Sequence, residues 1–173
     1  WLKGPGAALF EGRKGRPIVA EDLGIIDEGV RKMLKETGYP GMKVLLFAFD
    51  GSADNKYLPH NAEANYVMYL GTHDNDTAKG WDETLDEEHQ EYVREYVSAA
   101  DSAAVVKQLI KTAYLSVADT VIIQMQDILE KDNSARMNYP STLGTNWKWR
   151  MPKGAFDKEK TAFLKRLVKL SAR

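Results

Sequence analysis

Short apolar runs alternate along the chain with stretches in which apolar residues recur at helical spacing. Four of these runs have the length of buried strands and end in polar or turn-forming residues, at 17–20, 42–49, 66–70 and 120–125. The run at 42–49 is apolar almost throughout, as expected of a parallel strand that is covered on both faces. The alternation predicts an α/β fold made of parallel βα units.

The intervening segments predict the helices. Ile26, Val30 and Leu34 lie on one face of a helix. Asp27 is placed to cap the start of this helix, and Gly38 is placed to end it. Four further helices are predicted: a short one around 7–11, one that begins with a capping box at Thr84 and Glu87, one that starts near Asp101 or Ser102, and a last one capped by Asp157.

Composition narrows the classes of protein. The chain has 173 residues, 43% of them hydrophobic, which is enough for one core in a single domain, 1–173. A formal net charge of -1 provides no attraction to nucleic acid or to an anionic membrane, and no apolar run has the length of a membrane span. The absence of cysteine fits a reducing compartment, and we expect a cytoplasmic location. Because the chain begins with Trp1 rather than Met, we also expect it to start within a longer gene product.

The densest cluster of polar groups is Gly71-Thr72-His73-Asp74-Asn75-Asp76, directly after the run at 66–70. Glu21 follows the run at 17–20 in the same way. The carboxyl ends of parallel strands are where βα-barrels and open α/β sheets place their sites, so we expect Glu21 and Asp74 at the same end of one sheet. Two carboxylates beside a cleft suit glycoside chemistry. Partial burial would raise the pKa of Glu21 and make it a general acid.

Other interpretations of these residues remain open. Glu21 or Asp22 could simply cap the turn that follows. The cluster at 71–76 could be a turn stabilised by Asx hydrogen bonds. It could also be a metal site with His73, Asp74 and Asp76 as ligands, although such closely spaced ligands are awkward in an extended segment.

Aromatic residues near the strand ends present a similar choice. Phe47 and Phe49 alternate with Ala48, which predicts that both project from one face and belong to the core. Phe47 could instead stack on a ligand, since sugar rings favour aromatic platforms. The same two interpretations apply to Trp147 and Trp149, which follow the last predicted strand.

Taken together, six motifs resemble those of the amylomaltase family, the 4-α-glucanotransferases or disproportionating enzymes. Their order and spacing match from about residue 1 to about residue 150. The motifs are Ala20-Glu21-Asp22-Leu23-Gly24, Pro40-Gly41-Met42-Lys43-Val44-Leu45, Leu58-Pro59-His60-Asn61, Gly71-Thr72-His73-Asp74-Asn75-Asp76, Ala135-Arg136-Met137-Asn138-Tyr139-Pro140 and Asn146-Trp147-Lys148-Trp149-Arg150.

The resemblance implies a retaining transfer of α-1,4-glucan on a TIM (β/α)8 barrel, in starch, glycogen or maltose metabolism, with no cofactor and no metal. The chain is similar to the C-terminal half of that barrel, about strands 5–8. By resemblance, Glu21 is the general acid/base and Asp74 the third carboxylate, which binds the sugar hydroxyls. His73 and Asn138 would bind the same sugar, and Phe47 would stack near the acceptor.

The chain departs from the family pattern at one essential point. The nucleophilic aspartate of the family lies in an Arg-Ile-Asp-His-type motif on an earlier strand, and this sequence contains no such motif. Without it no covalent glycosyl-enzyme can form, so we expect the chain alone to be inactive. The alternative function is a non-catalytic glucan-binding half-barrel. The expected partners are a glucan or maltooligosaccharide, the missing N-terminal half of the barrel, and a second copy bound through exposed sheet edges.

Overall fold

A parallel sheet forms the centre of the chain. The computed structural model describes residues 2, 4–13 and 15–173, so that Trp1, Lys3 and Lys14 lie outside the described residues. Among these residues the sheet has three strands in the order β1 (Gly41–Val44), β2 (Tyr66–Tyr69) and β3 (Thr120–Ile122). Both pairs are parallel, with Met42 opposite Val67 and Val67 opposite Thr120. The predicted parallel α/β arrangement is confirmed.

Helices connect and cover the strands. The α-helices are α1 (Glu28–Thr37), α2 (Ala78–Asp82), α3 (Glu87–Val97), α4 (Val105–Leu115), α5 (Met125–Ile128) and α6 (Lys158–Ser171). Short 3₁₀ helices occupy Gly6–Arg13, Leu45–Phe47, Pro59–Asn61, Ser102–Ala104 and Asn133–Ala135. In the described parts of the chain, no helix combines the length and apolar character needed to cross a membrane.

Local capping sets the ends of most helices. The N–H of Val30 donates to Asp27 Oδ1 at 2.8 Å, and Gly38 ends α1 in the left-handed conformation, with φ of 67°. Asp157 caps α6 as predicted, accepting from the N–H of Lys160 at 3.0 Å. These caps follow from short-range chemistry, because each acceptor lies three residues before its donor.

The capping box predicted at Thr84 is wrong. Asp86 caps α3 and accepts from the N–H of His89 at 2.9 Å. The Thr84 hydroxyl donates instead to the carbonyl of Trp81 at 2.7 Å. Thr84 therefore lies just after α2 and bonds back to its last turn. The sequence pattern did not indicate this short helix.

The strand predicted at 17–20 is also wrong. Among the described residues, one backbone hydrogen bond joins this segment to the entry of β1, from the N–H of Ala20 to the carbonyl of Pro40 at 2.9 Å. The next amide of β1, that of Met42, donates at 2.7 Å to a carboxylate oxygen of Asp22 rather than to a backbone carbonyl. The Asp22 side chain thus takes the place of the backbone acceptor that a second strand would offer to Met42. The segment 17–20 therefore lies beside β1 without forming a strand.

Two other predicted strands are shorter than expected. The run at 42–49 turns into a 3₁₀ helix at Leu45, and the run at 120–125 gives way to α5 at Met125. The tight turn places Phe47 and Phe49 differently: Phe47 is 41% exposed, whereas Phe49 is buried. The prediction that both project from one face into the core is therefore wrong for Phe47. An apolar run alone does not distinguish a strand from a buried turn of helix.

One hydrophobic core lies between the sheet and helices α3, α4 and α6. Helix α4 packs against both α3 and α6 and presents its apolar face to the strands. Side chains from every layer contribute to this core, among them Val44, Leu58, Tyr66, Met68, Leu70, Val93, Leu109, Ile110 and Leu167. This core fixes the carboxyl ends of the strands, from which the polar loops emerge.

The contact between Asp22 and Gly41 leads to a test of stability. A Cβ on Gly41 would lie 2.8 Å from both carboxylate oxygens of Asp22. We expect Gly41→Ala to displace that carboxylate, break its bond to the Met42 amide and lower the free energy of unfolding by about 1–3 kcal/mol. Urea unfolding measures the change. Gly12→Ala is the matched control, because a Cβ there meets no atom within 4 Å, and equal stability of the two variants would contradict the expectation.

Candidate functional site

The loop after β2 is ordered by its own side chains. The backbone N–H and the hydroxyl of Thr72 both donate to Asn75 Oδ1, at 2.7 and 2.8 Å. The backbone N–H of Asn75 donates to the carbonyl of Thr72 at 3.1 Å. A turn stabilised by an Asn side chain is therefore present, but the Asn75 side chain bonds back to Thr72 rather than to an N–H two residues later as in an Asx turn. This arrangement leaves the side chains of His73 and Asp74 about half exposed on the outside of the turn.

Three of the predicted site residues meet at this turn. The Asn138 side-chain amide donates to Asp74 Oδ1 at 2.6 Å, and His73 Nε2 lies 3.4 Å from the same oxygen. The backbone N–H of Asn138 also donates to the carbonyl of His73 at 3.1 Å. Asp74 Oδ2 has no hydrogen-bond partner in the described part of the chain. The cluster thus presents one carboxylate oxygen that can accept a hydrogen bond from a ligand.

Arg136 connects the two loops that carry this cluster. Its Nη1 forms an ion pair with Asp76, and its Nη2 donates to the backbone carbonyl of Asp74 at 2.7 Å. Its Nε donates to the carbonyl of Asn138 at 2.9 Å, and its guanidinium carbon lies 4.4 Å from the centre of the Tyr139 ring. Sequence reasoning assigned Arg136 no role, because its partners in the other loop, Asp76 and Asp74, lie about 60 residues earlier and no local pattern indicates these contacts.

Arg136 is one part of a longer set of contacts that we call the clamp. In the clamp, residues 127–138 run antiparallel along residues 73–78. Residues later in the first segment contact residues earlier in the second. The pairs are Asp127 with Ala78, Asn133 with Thr77, Arg136 with Asp76 and Asp74, and Asn138 with Asp74 and His73. The site loop is therefore fixed from outside as well as by its own turn.

The clamp has a tight point at α2. Asn133 Oδ1 accepts from the N–H of Thr77 at 3.1 Å. A Cβ on Gly80 would overlap the side chain of Asn133, so only glycine leaves room for this amide.

Trp147 forms a wall beside the cluster. Its ring centre lies 4.9 Å from that of His73, and the backbone N–H of Trp147 donates to the carbonyl of Met137 at 2.7 Å. Trp147 has a left-handed backbone, with φ of 65°, and is 54% exposed, so it is not a core residue. With His73 and Gln124 it lines a cavity of about 360 Å³ beside the sheet, to which the strands contribute Met42, Tyr69 and Ile122.

Glu21 and Phe47 lie outside the Asp74 cluster. Glu21 is exposed beside the start of β1, whereas Asp74 follows the carboxyl end of β2, so neither the expected partial burial of Glu21 nor the expected placement of both carboxylates at one end of the sheet is found. The general acid role of Glu21 stays a prediction. Asp22 bonds across to Met42 rather than capping the following turn. Phe47 packs edge-on against Tyr57, with ring centres 5.6 Å apart, and its proposed contact with a ligand stays a prediction.

The metal-site interpretation of the cluster is not supported by its geometry. Across the described residues, no group of three or more His, Asp or Glu side chains is arranged to bind a metal ion. Asp76 is engaged by Arg136 instead. Independence from metals and cofactors stays a prediction.

Asp127 is a buried carboxylate at the far end of the clamp. Its Oδ1 accepts from the N–H of Ala78 at 2.7 Å, where α2 begins, while Oδ2 has no partner among the described residues. Burial raises the pKa of Asp127 from its ordinary value of 3.8 to about 6, and the bond from Ala78 offsets only part of that rise.

Comparisons with known proteins agree with the motifs. The family model described as 4-alpha-glucanotransferase matches residues 1–156. A chloroplastic/amyloplastic 4-alpha-glucanotransferase from Arabidopsis thaliana is 49% identical over 166 residues, covering 93% of this chain and 29% of that protein. A 4-alpha-glucanotransferase from Clostridium butyricum is 43% identical over 178 aligned residues, covering all of this chain and 37% of that protein. The chain thus spans about a third of the length of these relatives.

Solved structures give the same result. An amylomaltase from Streptococcus agalactiae, in complex with acarbose, superposes with a TM-score of 0.92 at 39% identity over 96% of this chain and 34% of that chain. An amylomaltase from Corynebacterium glutamicum, at 14% identity and a TM-score of 0.64 over 87% of this chain, shares the fold.

The raised pKa of Asp127 predicts a pH dependence of stability. Between about pH 4 and pH 6 the folded chain keeps a proton on Asp127 that the unfolded chain has lost. The contribution of this group to the free energy of unfolding therefore falls as pH rises through that window, by on the order of 3 kcal/mol. Asp127→Asn keeps an acceptor for Ala78 but cannot ionise, so its stability relative to the wild-type chain should rise from pH 4 to pH 6.

Urea unfolding at several pH values measures this difference. The matched control is Asp119→Asn, which replaces an exposed aspartate and should leave the pH profile of the wild-type chain unchanged. Parallel profiles for Asp127→Asn and the wild-type chain would show that burial does not raise the pKa of Asp127.

Proposed function

The chain belongs to the 4-alpha-glucanotransferase family, and from this membership we propose that it is part of an enzyme that transfers α-1,4-glucan segments between glucan chains or to glucose. The reaction is a retaining double displacement. Residues 1–173 form a single domain that supplies the C-terminal half of a (β/α)8 barrel, about strands five to eight, with β1, β2 and β3 as three of these strands and the segment 17–20 beside β1 in the position of the fourth. The parallel order of the three strands supports this proposal.

The observation that carries the proposal is the cluster of Asp74, His73 and Asn138 at the carboxyl end of β2. Asn138 orients Asp74 through one carboxylate oxygen, and the second oxygen can accept hydrogen bonds from sugar hydroxyls. A carboxylate oriented in this way binds a distorted sugar ring more tightly than a relaxed one, which lowers the barrier to transfer. Asp74 is therefore the third carboxylate, with His73 and Asn138 on the same sugar.

Glu21 acts as the general acid and base in this proposal. It would protonate the departing sugar oxygen and then remove a proton from the acceptor hydroxyl. Support comes from its place in the Ala20-Glu21-Asp22-Leu23-Gly24 motif and from its exposed carboxyl beside β1. Phe47, which is also exposed, would stack on the acceptor.

The nucleophile belongs to another part of the barrel. The Arg-Ile-Asp-His-type motif of the family does not occur in this sequence. The chain alone therefore binds glucan without forming a glycosyl-enzyme, and the missing half of the barrel is its partner in catalysis.

A second candidate function is a glucan-binding half-barrel without catalysis. The wall formed by Trp147 and His73 favours it, because an exposed aromatic ring beside polar groups is a surface on which a sugar can stack. The compartment also stays a proposal: the cytoplasm is expected from the sequence, whereas the Arabidopsis relative is named as chloroplastic/amyloplastic.

The carboxylates predict the behaviour of the assembled enzyme. In a protein that joins this chain to the N-terminal half of the barrel, Glu21→Gln should lower the rate of maltotriose disproportionation by about 10²–10⁴-fold, because proton transfer is lost. Asp74→Asn should also lower the rate strongly, because contacts that strengthen in the transition state are lost. Glucose release measures both effects, and the exposed pair Glu36→Gln and Asp119→Asn serves as control.

Near-normal turnover in either site variant would remove that residue from the proposal. The chain without the N-terminal half should give no turnover. Turnover by the chain alone would reveal a nucleophile among its own residues.

The edge of the sheet predicts self-association. In the described residues β3 pairs with β2 on one side and with no strand on the other, and Ile122 is 44% exposed. Such an edge can pair with a second copy about a two-fold axis. Light scattering should therefore give a mass that rises with concentration toward a dimer or beyond, and Ile122→Lys should reduce it while Val168→Lys on α6 does not. A constant monomer mass would contradict this proposal.

A further inference from the structure

We propose that Arg136 is a positioning residue for the Asp74 carboxylate. The inference rests on the proposed function, in which Asp74 binds the reacting sugar. It goes beyond the roles of Asp74 and Asn138 because it assigns their relative placement to a third side chain that does not contact the substrate.

The geometry of the guanidinium carries the proposal. Nη2 donates to the backbone carbonyl of Asp74 at 2.7 Å, and Nε donates to the backbone carbonyl of Asn138 at 2.9 Å. The side chains of these same two residues are joined by the 2.6 Å bond from the Asn138 amide to Asp74 Oδ1. Arg136 therefore fixes the distance between the backbone at Asp74 and the backbone at Asn138, and this distance allows the two side chains to bond.

The rest of the Arg136 side chain is itself held in place. Nη1 forms the ion pair with Asp76, and the flat guanidinium lies over the Tyr139 ring. Tyr139 is tied in turn by its hydroxyl to the carbonyl of Asn133, at 3.1 Å, within the clamp. The Arg136 side chain is only 16% exposed, so solvent competes little for these bonds.

Lysine cannot reproduce this arrangement. A lysine at position 136 could keep a single point charge near Asp76, but it lacks the rigid planar fork that reaches two carbonyls at once. The Asp74 and Asn138 segments would then shift relative to each other. Since displacement of a reacting group by about 1 Å costs on the order of 10²-fold in rate, we expect Arg136→Lys to lower kcat for maltotriose by about 10–100-fold.

A double-mutant cycle in the assembled enzyme distinguishes positioning from general support of the fold. If Arg136 acts through Asp74, then Arg136→Lys should cost nothing further, within about threefold, once Asp74→Asn has removed the carboxylate. Arg173→Lys is the matched control, because Arg173 also donates to two backbone carbonyls, those of Tyr114 and Ser116, away from the site. This control should leave kcat unchanged.

Two results in the cycle would overturn the inference. Multiplicative losses would show that Arg136 acts independently of Asp74, and a full rate in Arg136→Lys would show that its bonds are dispensable.

A second measurement uses the 173-residue chain itself and needs no activity. The side-chain amide resonance of Asn138 reports its bond to Asp74, and it should shift in Arg136→Lys but stay in place in Arg173→Lys. An unchanged resonance in Arg136→Lys overturns the inference. Failure of the proposed function would give a different result. The assembled wild-type enzyme would transfer no glucan, while Arg136→Lys would still shift the Asn138 resonance.

Discussion

The site depends on the pairing of two loop segments that no sheet hydrogen bond joins. Parallel strands bring the loops after β2 and β3 to the same edge of the sheet, but strand ends alone leave side chains free to adopt many arrangements. The clamp removes that freedom, because each step from Asp127 to Asn138 satisfies a backbone or carboxylate group of residues 73–78. Most polar groups that would be costly to bury alone are paired with one another across the two segments, whereas the buried Asp127 Oδ2 has no partner among the described residues.

The same use of side chains in place of backbone pairing recurs elsewhere in the chain. The strands contain only three or four residues each, so the ladder supplies few hydrogen bonds. Asp22 accepts from the N–H of Met42 in β1, and the Gln126 side-chain amide donates to the carbonyl of Ala135 at 3.2 Å. The packed helices supply the rest of the stability, and helix α4 carries most of the contacts with other helices. A scaffold of this kind holds its polar loops in place even though its sheet is small.

Local chemistry made part of the fold predictable from the sequence. Asp27 and Asp157 were identified as caps because donor and acceptor lie within one turn of helix. Strand bounds were missed at Leu45 and Met125, since apolar runs suit a strand and a buried turn of helix equally well. In the site, motif resemblance named both Asp74 and Asn138, which meet in the structure, whereas Arg136 was missed. Its partners in the loop after β2, Asp74 and Asp76, are distant in the sequence, and only the folded chain shows that they meet.

Gly80 shows how far the requirements of the site extend. It lies in α2, contacts no proposed substrate group, and has an ordinary helical conformation, yet any side chain there would displace Asn133. Sequence variation at position 80 is therefore constrained by the geometry of a site to which Gly80 does not belong. A variant with a side chain at position 80 would lose the bond between Asn133 and Thr77. Sequencing only the polar residues of the site loop would not reveal the cause of the resulting defect.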